Sequence, residues 1–275
     1  MVRRYIYEGK DPLEFWDHVS AERKRFLSGH VPATKYVHLV GVNQTVTFLR
    51  DPIQRVMSEY QHFVRNYGYE GDFPSFYRKP QFINRLSNIL GGVPLEAFGM
   101  LGLTEEYEGS LAMLNEQYST EIEYAAMNMG REDKSKNYEI PIEQLDELRD
   151  LNKVDYDLYS HGVRVFRMRE RLFKEGLPFV HGVVQKVTAK SIRGWAWYAD
   201  RKTPVEINIL INGEKVGKQK ATALRPGLLQ LNPPRKGYIG FQLNFREPVP
   251  EGTRVSAVVA ETGQVLGEFQ VRASE

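Results

Sequence analysis

The sequence predicts an α/β fold with a parallel sheet and flanking helices, followed by a C-terminal all-β sandwich. Gln44 to Leu49 is a short apolar run rich in β-branched residues, as in a buried strand, and a helix start follows it directly. Phe98 to Leu103 is a second apolar run with a helix start behind it, so strands and helices alternate as in parallel α/β sheets. From Gly182 onward, short strands separated by turn residues replace this pattern.

Length and composition allow two domains. The chain has 275 residues, of which 41% are hydrophobic and 26% charged, as in ordinary globular proteins, and it is long enough for one large or two smaller cores. Gly176-Leu177-Pro178 separates the helical part from the strand-rich part, so we predict domains at residues 1–177 and 178–275. The lack of cysteine excludes disulfides and thiolate chemistry and agrees with a reducing compartment.

Charge and hydropathy argue against several classes of function. The 37 Lys and Arg nearly balance 35 Asp and Glu, so the net charge of +2 predicts no nucleic-acid partner, and anionic ligands need local clusters. No apolar run reaches the roughly 18 residues of a membrane span, and Met1 to Trp16 lacks the apolar core of a signal peptide, so we expect a cytoplasmic protein. The six histidines are scattered, which predicts no metal site.

The segment Gln44 to Tyr60, QTVTFLRDPIQRVMSEY, predicts an anion site. Asp51 is a good N-cap and Pro52 a good first helical residue, so a helix should begin directly behind the strand. A helix start favours negative charge, the guanidinium of Arg50 can hold a phosphate through two hydrogen bonds, and Ser58 adds a hydroxyl donor. The alternative, with about equal weight, is that Arg50 pairs with a neighbouring carboxylate and Ser58 only fills the helix surface.

LRDPIQRVMSEY resembles the motif with which sulfotransferases hold the 3′-phosphate of 3′-phosphoadenosine-5′-phosphosulfate (PAPS). The likeness is closest to the heparan sulfate 2-O-sulfotransferases and their bacterial relatives, and it implies that Arg50 and Ser58 bind this phosphate. The block Gly102-Leu103-Thr104-Glu105-Glu106 agrees with the family in order and spacing. The resemblance covers about Leu27 to Phe173. It implies a P-loop-type sheet and transfer of a sulfuryl group from PAPS to a hydroxyl of a carbohydrate acceptor.

His30 is the candidate catalytic base. By itself, a histidine beside Gly29 in a loop is more often a surface or capping residue. The sulfotransferases carry a Gly-His pair at this place, upstream of the strand that leads to Arg-Asp-Pro. The resemblance therefore implies that His30 takes the proton from the acceptor hydroxyl. The heparan-modifying members have a second histidine where this chain has Ser28, so the sequence departs from the pattern that accompanies heparan-type specificity.

Further contacts with anions are predicted at two places. The polar segment Asn128 to Pro141 lies where the family has a loop that closes over the nucleotide. Lys134, Ser135 and Lys136 are therefore candidate phosphate ligands, and a solvated loop is the alternative. Arg85, on a short amphipathic segment, is a candidate contact for an anionic substrate, with a solvated helix arginine as the alternative.

One part of the family pattern is not found. The 5′-phosphosulfate normally binds a P-loop-like turn with a catalytic lysine after a first strand, whereas Met1 to Leu27 offers only Glu8-Gly9-Lys10-Asp11 without a preceding strand. Two interpretations stay open: a shortened form of an active enzyme, or a remnant or half-enzyme without catalysis of its own. A glycan-binding protein that acts through its β-sandwich is the alternative function, and a P-loop kinase is disfavoured by the same missing loop.

The C-terminal part predicts six or seven short strands. Val205 to Ile211 has an apolar residue at every second position, and Asn212-Gly213 predicts a tight hairpin turn behind it. Trp195 and Trp197, in the segment GWAWYAD, share one face of a strand, which predicts core residues more strongly than a surface that stacks on sugars. This part of the chain resembles a small accessory domain of bacterial glycan-modifying transferases.

Overall fold

The computed structural model describes residues 11–22, 26–123 and 138–272, and this part of the chain mixes helices with strands. The chain packs into two compact units. The first comprises residues 1–33, 47–92 and 101–166, and the second comprises residues 34–46, 93–100 and 167–275. The second unit therefore includes two short segments from the N-terminal half of the chain, while the domain boundary at residue 177 stays a prediction.

The described residues form helices α1 to α8, with bounds Pro12–Ala21, Val37–Val40, Pro52–Tyr67, Phe73–Tyr77, Arg85–Leu90, Tyr107–Tyr118, Ile142–Leu151 and Lys153–Lys174. Helix α1 begins behind Asp11, its N-cap, whose Oδ1 accepts from Leu13 N at 2.9 Å. Helices α7 and α8 follow each other closely and are separated at Asn152. Within the described ranges, no helix has both the length and the apolar character that crossing a membrane requires.

Strands β1 (Val46–Leu49) and β2 (Met100–Leu103) form a two-stranded parallel sheet. Both predicted strands are confirmed, and each is two residues shorter at its N-terminal end than the apolar run that predicts it. A Cβ on Gly102 would lie 2.6 Å from Cε1 of Phe48, so the glycine leaves room for this ring. The ring of Phe48 also contacts that of Tyr107 at the start of α6, with 5.4 Å between the centroids. The larger P-loop-type sheet stays a prediction.

Helix α3 begins where the sequence predicts. Asp51 is the N-cap and Pro52 the first helical residue, and the helix ends at Gly68, whose φ of 63° belongs to the left-handed region that glycine adopts readily. Its apolar side packs against α4 and α7 in one core, formed by Ile53, Val56, Met57, Phe73, Tyr77 and Leu148. This packing places the opposite side of α3, which carries its polar residues, away from the core.

The second unit contains strands β3 to β10, with bounds Val180–Thr188, Ser191–Tyr198, Glu206–Ile211, Glu214–Lys220, Ala223–Leu224, Tyr238–Asn244, Arg254–Val259 and Val265–Gln270. They form two antiparallel four-stranded sheets, in the orders β3-β4-β8-β7 and β10-β9-β5-β6. The described part of the second unit thus has eight strands where six or seven were predicted, and one of them is the two-residue edge strand β7.

Both sheets contribute side chains to one apolar core, which makes this part of the second unit sandwich-like. The predicted alternation in β5 is confirmed, since Val205, Ile207 and Ile209 are all buried there. Asn212 and Gly213 both have positive φ, at 51° and 89°, as the predicted hairpin turn requires. The core residues from other strands include Val184, Ile192, Ala196, Phe241, Val255, Ala257 and Leu266.

Candidate functional site

The junction of β1 and α3 carries the predicted anion site. Leu49 at the end of β1 is fully buried, Arg50 follows it half-buried, and Asp51 caps the helix by accepting from Gln54 N at 2.9 Å. Local chemistry explains this geometry, because Asp51 satisfies a helix-start N–H and Pro52 has no N–H that needs a partner. The sequence therefore sets Arg50 directly beside the positive end of the helix dipole.

Glu105, which follows β2, also reaches this junction. Its Oε1 accepts from Asp51 N at 2.8 Å, and its Oε2 accepts from the hydroxyl of Thr104 at 3.2 Å. Residues that follow neighbouring parallel strands emerge at the same edge of the sheet, which brings Glu105 to Asp51. Two carboxylates thus already stand at the start of α3, and an incoming anion has to rely on Arg50 for most of its attraction.

Tyr138 lies against the same junction. The side chain of Gln54 bonds its main chain twice, with Tyr138 N donating to Oε1 at 2.7 Å and Nε2 donating to Tyr138 O at 3.3 Å. The guanidinium carbon of Arg50 lies 5.8 Å from the centroid of the Tyr138 ring, a cation–π distance. Among the residues that the structure describes, Arg50 forms no ion pair, so the predicted alternative of a carboxylate partner is not observed.

Ser58 and two charged residues occupy the polar side of α3. Ser58 is half-buried and stands seven residues after Asp51, on the same side of the helix. Arg55 donates from one terminal nitrogen to Glu59 at 2.8 Å and from the other to the carbonyl of Phe82 at 3.0 Å. Burial lowers the pKa of Arg55, and the nearby carboxylates oppose that shift.

Arg85, the candidate contact for an anionic substrate, is held by a carboxylate. Its guanidinium lies 2.8 Å from Oε1 of Glu59, which is the same carboxylate that Arg55 binds. Arg85 is therefore not simply a solvated arginine, since it already pairs with Glu59. An anionic substrate would have to share its guanidinium with that carboxylate. Its role in substrate binding stays a prediction.

A buried carboxylate positions the helix that carries Arg85. Asp155 on α8 is fully buried and accepts from Leu86 N at 2.9 Å, Ser87 N at 2.8 Å and the hydroxyl of Ser87 at 2.6 Å. Asn84, before the helix, donates its N–H to Oδ1 of Asn152 at 3.1 Å. Asp155 therefore supplies the cap that the six-residue helix α5 lacks in its own sequence.

The remaining predicted site residues lie elsewhere. His30 is exposed, in the loop that follows residue 26, so its imidazole is accessible to a ligand. Lys134, Ser135 and Lys136 lie outside the described residues. Thus Arg50 and Ser58 are carried by one secondary-structure junction, whereas His30 comes from a separate loop, and its role as base stays a prediction.

Trp195 and Trp197 belong to a buried aromatic stack. Their rings are stacked with centroids 4.7 Å apart, and the ring of His181 stacks on Trp197 at 5.5 Å. Trp195 is 0% exposed and Trp197 is 1% exposed, so the predicted role as core residues is confirmed and neither ring can stack on a sugar. Nδ1 of His181 bonds the carbonyl of Glu96 at 2.8 Å, which requires this nitrogen to carry the proton.

The stack also holds a perturbed histidine that sequence reasoning missed. Burial lowers the pKa of His181 to about 3, and the positive charge of Arg169 contributes to that shift. In the β3–β4 register His181 lies opposite Trp197, and no local sequence pattern indicates this pairing. We assign His181 to the core rather than to chemistry, because no part of its side chain reaches solvent.

Within the described part of the chain, no three His, Asp or Glu side chains form a group that could hold a metal ion. Comparisons of the chain with protein-family models, with curated proteins and with solved structures found no match. The functional interpretation therefore rests on the residues at the β1–α3 junction.

Proposed function

We propose that this chain is a PAPS-dependent sulfotransferase that acts on a hydroxyl of a carbohydrate. The observation that carries the proposal is the β1–α3 junction, in which strand β1, with Leu49 buried at its end, leads through Arg50 into a capped helix. A guanidinium beside the positive end of a helix dipole is suited to a phosphate, which it can bind through two parallel hydrogen bonds. Ser58, two turns further along α3 on the same side as Asp51, would add a hydroxyl donor.

In the proposed reaction, three residues perform two tasks. Arg50 and Ser58 would bind the 3′-phosphate of the sulfuryl donor and fix its position. His30 would take the proton of the acceptor hydroxyl as its oxygen forms a bond to sulfur. The bond between sulfur and the 5′-phosphate oxygen breaks in the same step, and adenosine 3′,5′-bisphosphate leaves with that oxygen. No described residue is assigned to the 5′-phosphosulfate, and Lys134 to Lys136 remain candidates for contacts with the nucleotide.

The proposal is tested by calorimetric titration of the full chain with adenosine 3′,5′-bisphosphate. Arg50→Ala should weaken binding at least tenfold, because a hydrogen bond to a charged group contributes about 1.5–3 kcal/mol. Arg65→Ala is the matched control, since Arg65 is an exposed arginine in the last turn of the same helix. Glu105→Gln should strengthen binding a few-fold, because the amide oxygen can still accept from Asp51 N while a negative charge is removed.

Two results would contradict the proposal. If the unaltered chain gives no binding heat, it has no site for adenosine 3′,5′-bisphosphate. If Arg50→Ala and Arg65→Ala lower the affinity equally, Arg50 contributes only through overall charge. The role of His30 is separable in the same protein. His30→Ala should retain the affinity for adenosine 3′,5′-bisphosphate and lose sulfuryl transfer from PAPS.

A further inference from the structure

The second unit exposes an apolar patch at one end of the β3-β4-β8-β7 sheet. Leu224 on β7, Leu229 in the following 3₁₀ helix Pro226–Leu231 and Tyr238 at the start of β8 are 40%, 47% and 51% exposed. Leu224 lies opposite Tyr238 in the β7–β8 register. A Cβ on Gly237 would lie 2.6 Å from Cδ2 of Leu229 and 3.4 Å from Cδ1 of Leu224, so these side chains meet over the glycine. We name Leu224, Leu229 and Tyr238 the Tyr238 patch.

The turn that leads into Tyr238 has an unusual backbone. Arg235, Lys236 and Gly237 all have left-handed φ, at 57°, 55° and 83°. Two successive non-glycine residues in this region cost free energy, and they persist only where neighbouring groups fix them. The fixing contacts come from Arg235, whose Nε donates to the carbonyl of Tyr238 at 3.0 Å and whose Nη1 donates to that of Lys202 at 2.6 Å. The turn therefore presents exposed Lys236 next to the patch.

The surrounding segment is strongly basic. Residues 215–246 contain seven Lys and Arg and no Asp or Glu, although 37 and 35 such residues nearly balance in the whole chain. Some of these cations are already engaged, since Lys218 and Lys220 pair with Glu206 and Arg225 bonds main-chain carbonyls of the sheet. The exposed cation next to the Tyr238 patch is Lys236, and Arg235 lies beside it with Nε and Nη1 bonded to carbonyls and Nη2 without a hydrogen bond among the described residues.

This combination of groups favours one class of ligand. The faces of sugar rings carry C–H groups that pack on aromatic and aliphatic side chains, and carboxylate or sulfate groups on the sugars pair with lysine and arginine. A nucleic acid would need a longer row of cations along its phosphates. A membrane surface would need a wider apolar face than three side chains provide.

We propose that the Tyr238 patch binds an anionic polysaccharide. A sugar ring would pack on Tyr238 and the two leucines, and its acidic groups would pair with Lys236 and Arg235. The choice of a carbohydrate rests on the proposed function, which requires a carbohydrate acceptor. The patch adds to that function a second attachment point, which would keep a polymeric acceptor bound after one of its hydroxyls has been modified.

The test is a titration of the full chain, without nucleotide, with dextran sulfate and with uncharged dextran of equal length. We expect dextran sulfate to bind more tightly, and Tyr238→Ala and Lys236→Glu each to weaken it about tenfold. Tyr238→Phe should retain the affinity, because the ring is kept. Lys190→Glu is the matched control, since it makes the same charge change at the β3–β4 turn, near the opposite end of β8, and should change the affinity less than about twofold.

Equal weakening by Lys236→Glu and Lys190→Glu would overturn the proposal, because it would show attraction to overall charge. Binding to phosphatidylserine vesicles without binding to dextran sulfate would overturn it as well. If Tyr238→Ala alters the thermal unfolding of the chain, the surface variant Lys236→Glu decides the matter. Because no nucleotide is present, a failure of this titration is distinguishable from a failure of the Arg50→Ala titration.

Discussion

One buried side chain in each unit, Asp155 in the first and His181 in the second, shows how differently polar groups are accommodated away from water. In the first unit, Asp155 is fully buried, and both of its oxygens accept hydrogen bonds from α5. In the second unit, Nε2 of His181 and Nε1 of Trp195 are buried without a hydrogen-bond partner among the described residues. The difference follows from charge: a neutral ring can lose one hydrogen bond at a modest cost, whereas a carboxylate must be paired or bonded to be buried at all. The energetic effect of burying a polar side chain therefore depends on its charge and on whether its polar atoms form hydrogen bonds.

The strongest way to test this comparison is Asp155→Ala. The substitution leaves the N–H groups of Leu86 and Ser87 without their acceptor and removes a carboxylate 3.8 Å from the buried guanidinium of Arg55. Loss of one partner from a buried charged network costs about 3–5 kcal/mol, so we expect the free energy of unfolding to fall by that amount. Chemical denaturation followed by circular dichroism measures the change.

The matched control is Asp157→Ala, two residues further along the same helix. Asp157 is exposed, and its ion pair among the described residues is with Lys153 at 3.3 Å, so its removal should cost well under about 1 kcal/mol. If Asp155→Ala were as mild as this control, the buried network would not hold α5, and the contrast between the two units would lose its basis.

The second test concerns pH and the histidine of the second unit. The pKa of His181 is about 3 in the folded chain because burial disfavours the imidazolium, and it is close to 6.5 in the unfolded chain. The stability that follows from this difference is fully present above pH 6.5 and is lost as the pH falls toward 3, since only the unfolded chain takes up the proton in that range. Between pH 7 and pH 5 this loss amounts to roughly 2 kcal/mol.

His181→Phe isolates this contribution, because phenylalanine keeps a ring on Trp197 and cannot titrate. The variant should be less stable than the unaltered chain at pH 7, having lost the bond to Glu96 O, but its stability should fall less between pH 7 and pH 5. Denaturant unfolding at both pH values gives the two differences. An equal fall in both proteins would mean that His181 accepts its proton in the folded chain, and its burial would then have no linkage to pH.

The features that the sequence predicts correctly are those encoded within a few residues. Asp51 and Pro52 place the start of α3, and Asn212-Gly213 places a hairpin turn, because each acts on its own backbone or on that of a near neighbour. For the same reason, the position of Arg50 at a helix start follows from its neighbours in the sequence.

The features that sequence reasoning misses join distant residues. Glu105 bonds Asp51 across 54 positions, Asp155 caps α5 across 68 and 69 positions, and no local pattern announces either contact. These contacts decide what the candidate site can do, since Glu105 adds a negative charge beside Arg50 and Asp155 fixes the helix of Arg85. The sequence thus predicts the cation of the site, whereas its carboxylate neighbours become visible only in the folded chain.

The smallest expected loss of stability comes from breaking the ion pair between Arg78 and Glu147. Its hydrogen-bond geometry is better than that of the buried Arg55–Asp155 pair, which is 3.8 Å long. Arg78 donates to both oxygens of Glu147, at 2.6 Å and 2.8 Å, and the hydroxyl of Tyr77 donates to the same carboxylate at 2.7 Å. These bonds lower the pKa of Glu147 to about 2, and burial, with Glu147 as a further cause, raises that of Tyr77 to about 12. The two charged side chains are nevertheless 57% and 37% exposed, so water screens the pair.

We therefore expect Arg78→Ala to lower the free energy of unfolding by at most about a quarter of the loss in Asp155→Ala, because the released Glu147 carboxylate is solvated and keeps its bond from Tyr77. Both variants belong in one denaturation series, so that the ratio is measured under one set of conditions. The stabilising effect of the pair should also fade as the pH falls toward 2, where Glu147 takes up its proton. A loss in Arg78→Ala as large as that in Asp155→Ala would show that hydrogen-bond geometry, rather than removal from water, determines the contribution of a charged group in this unit.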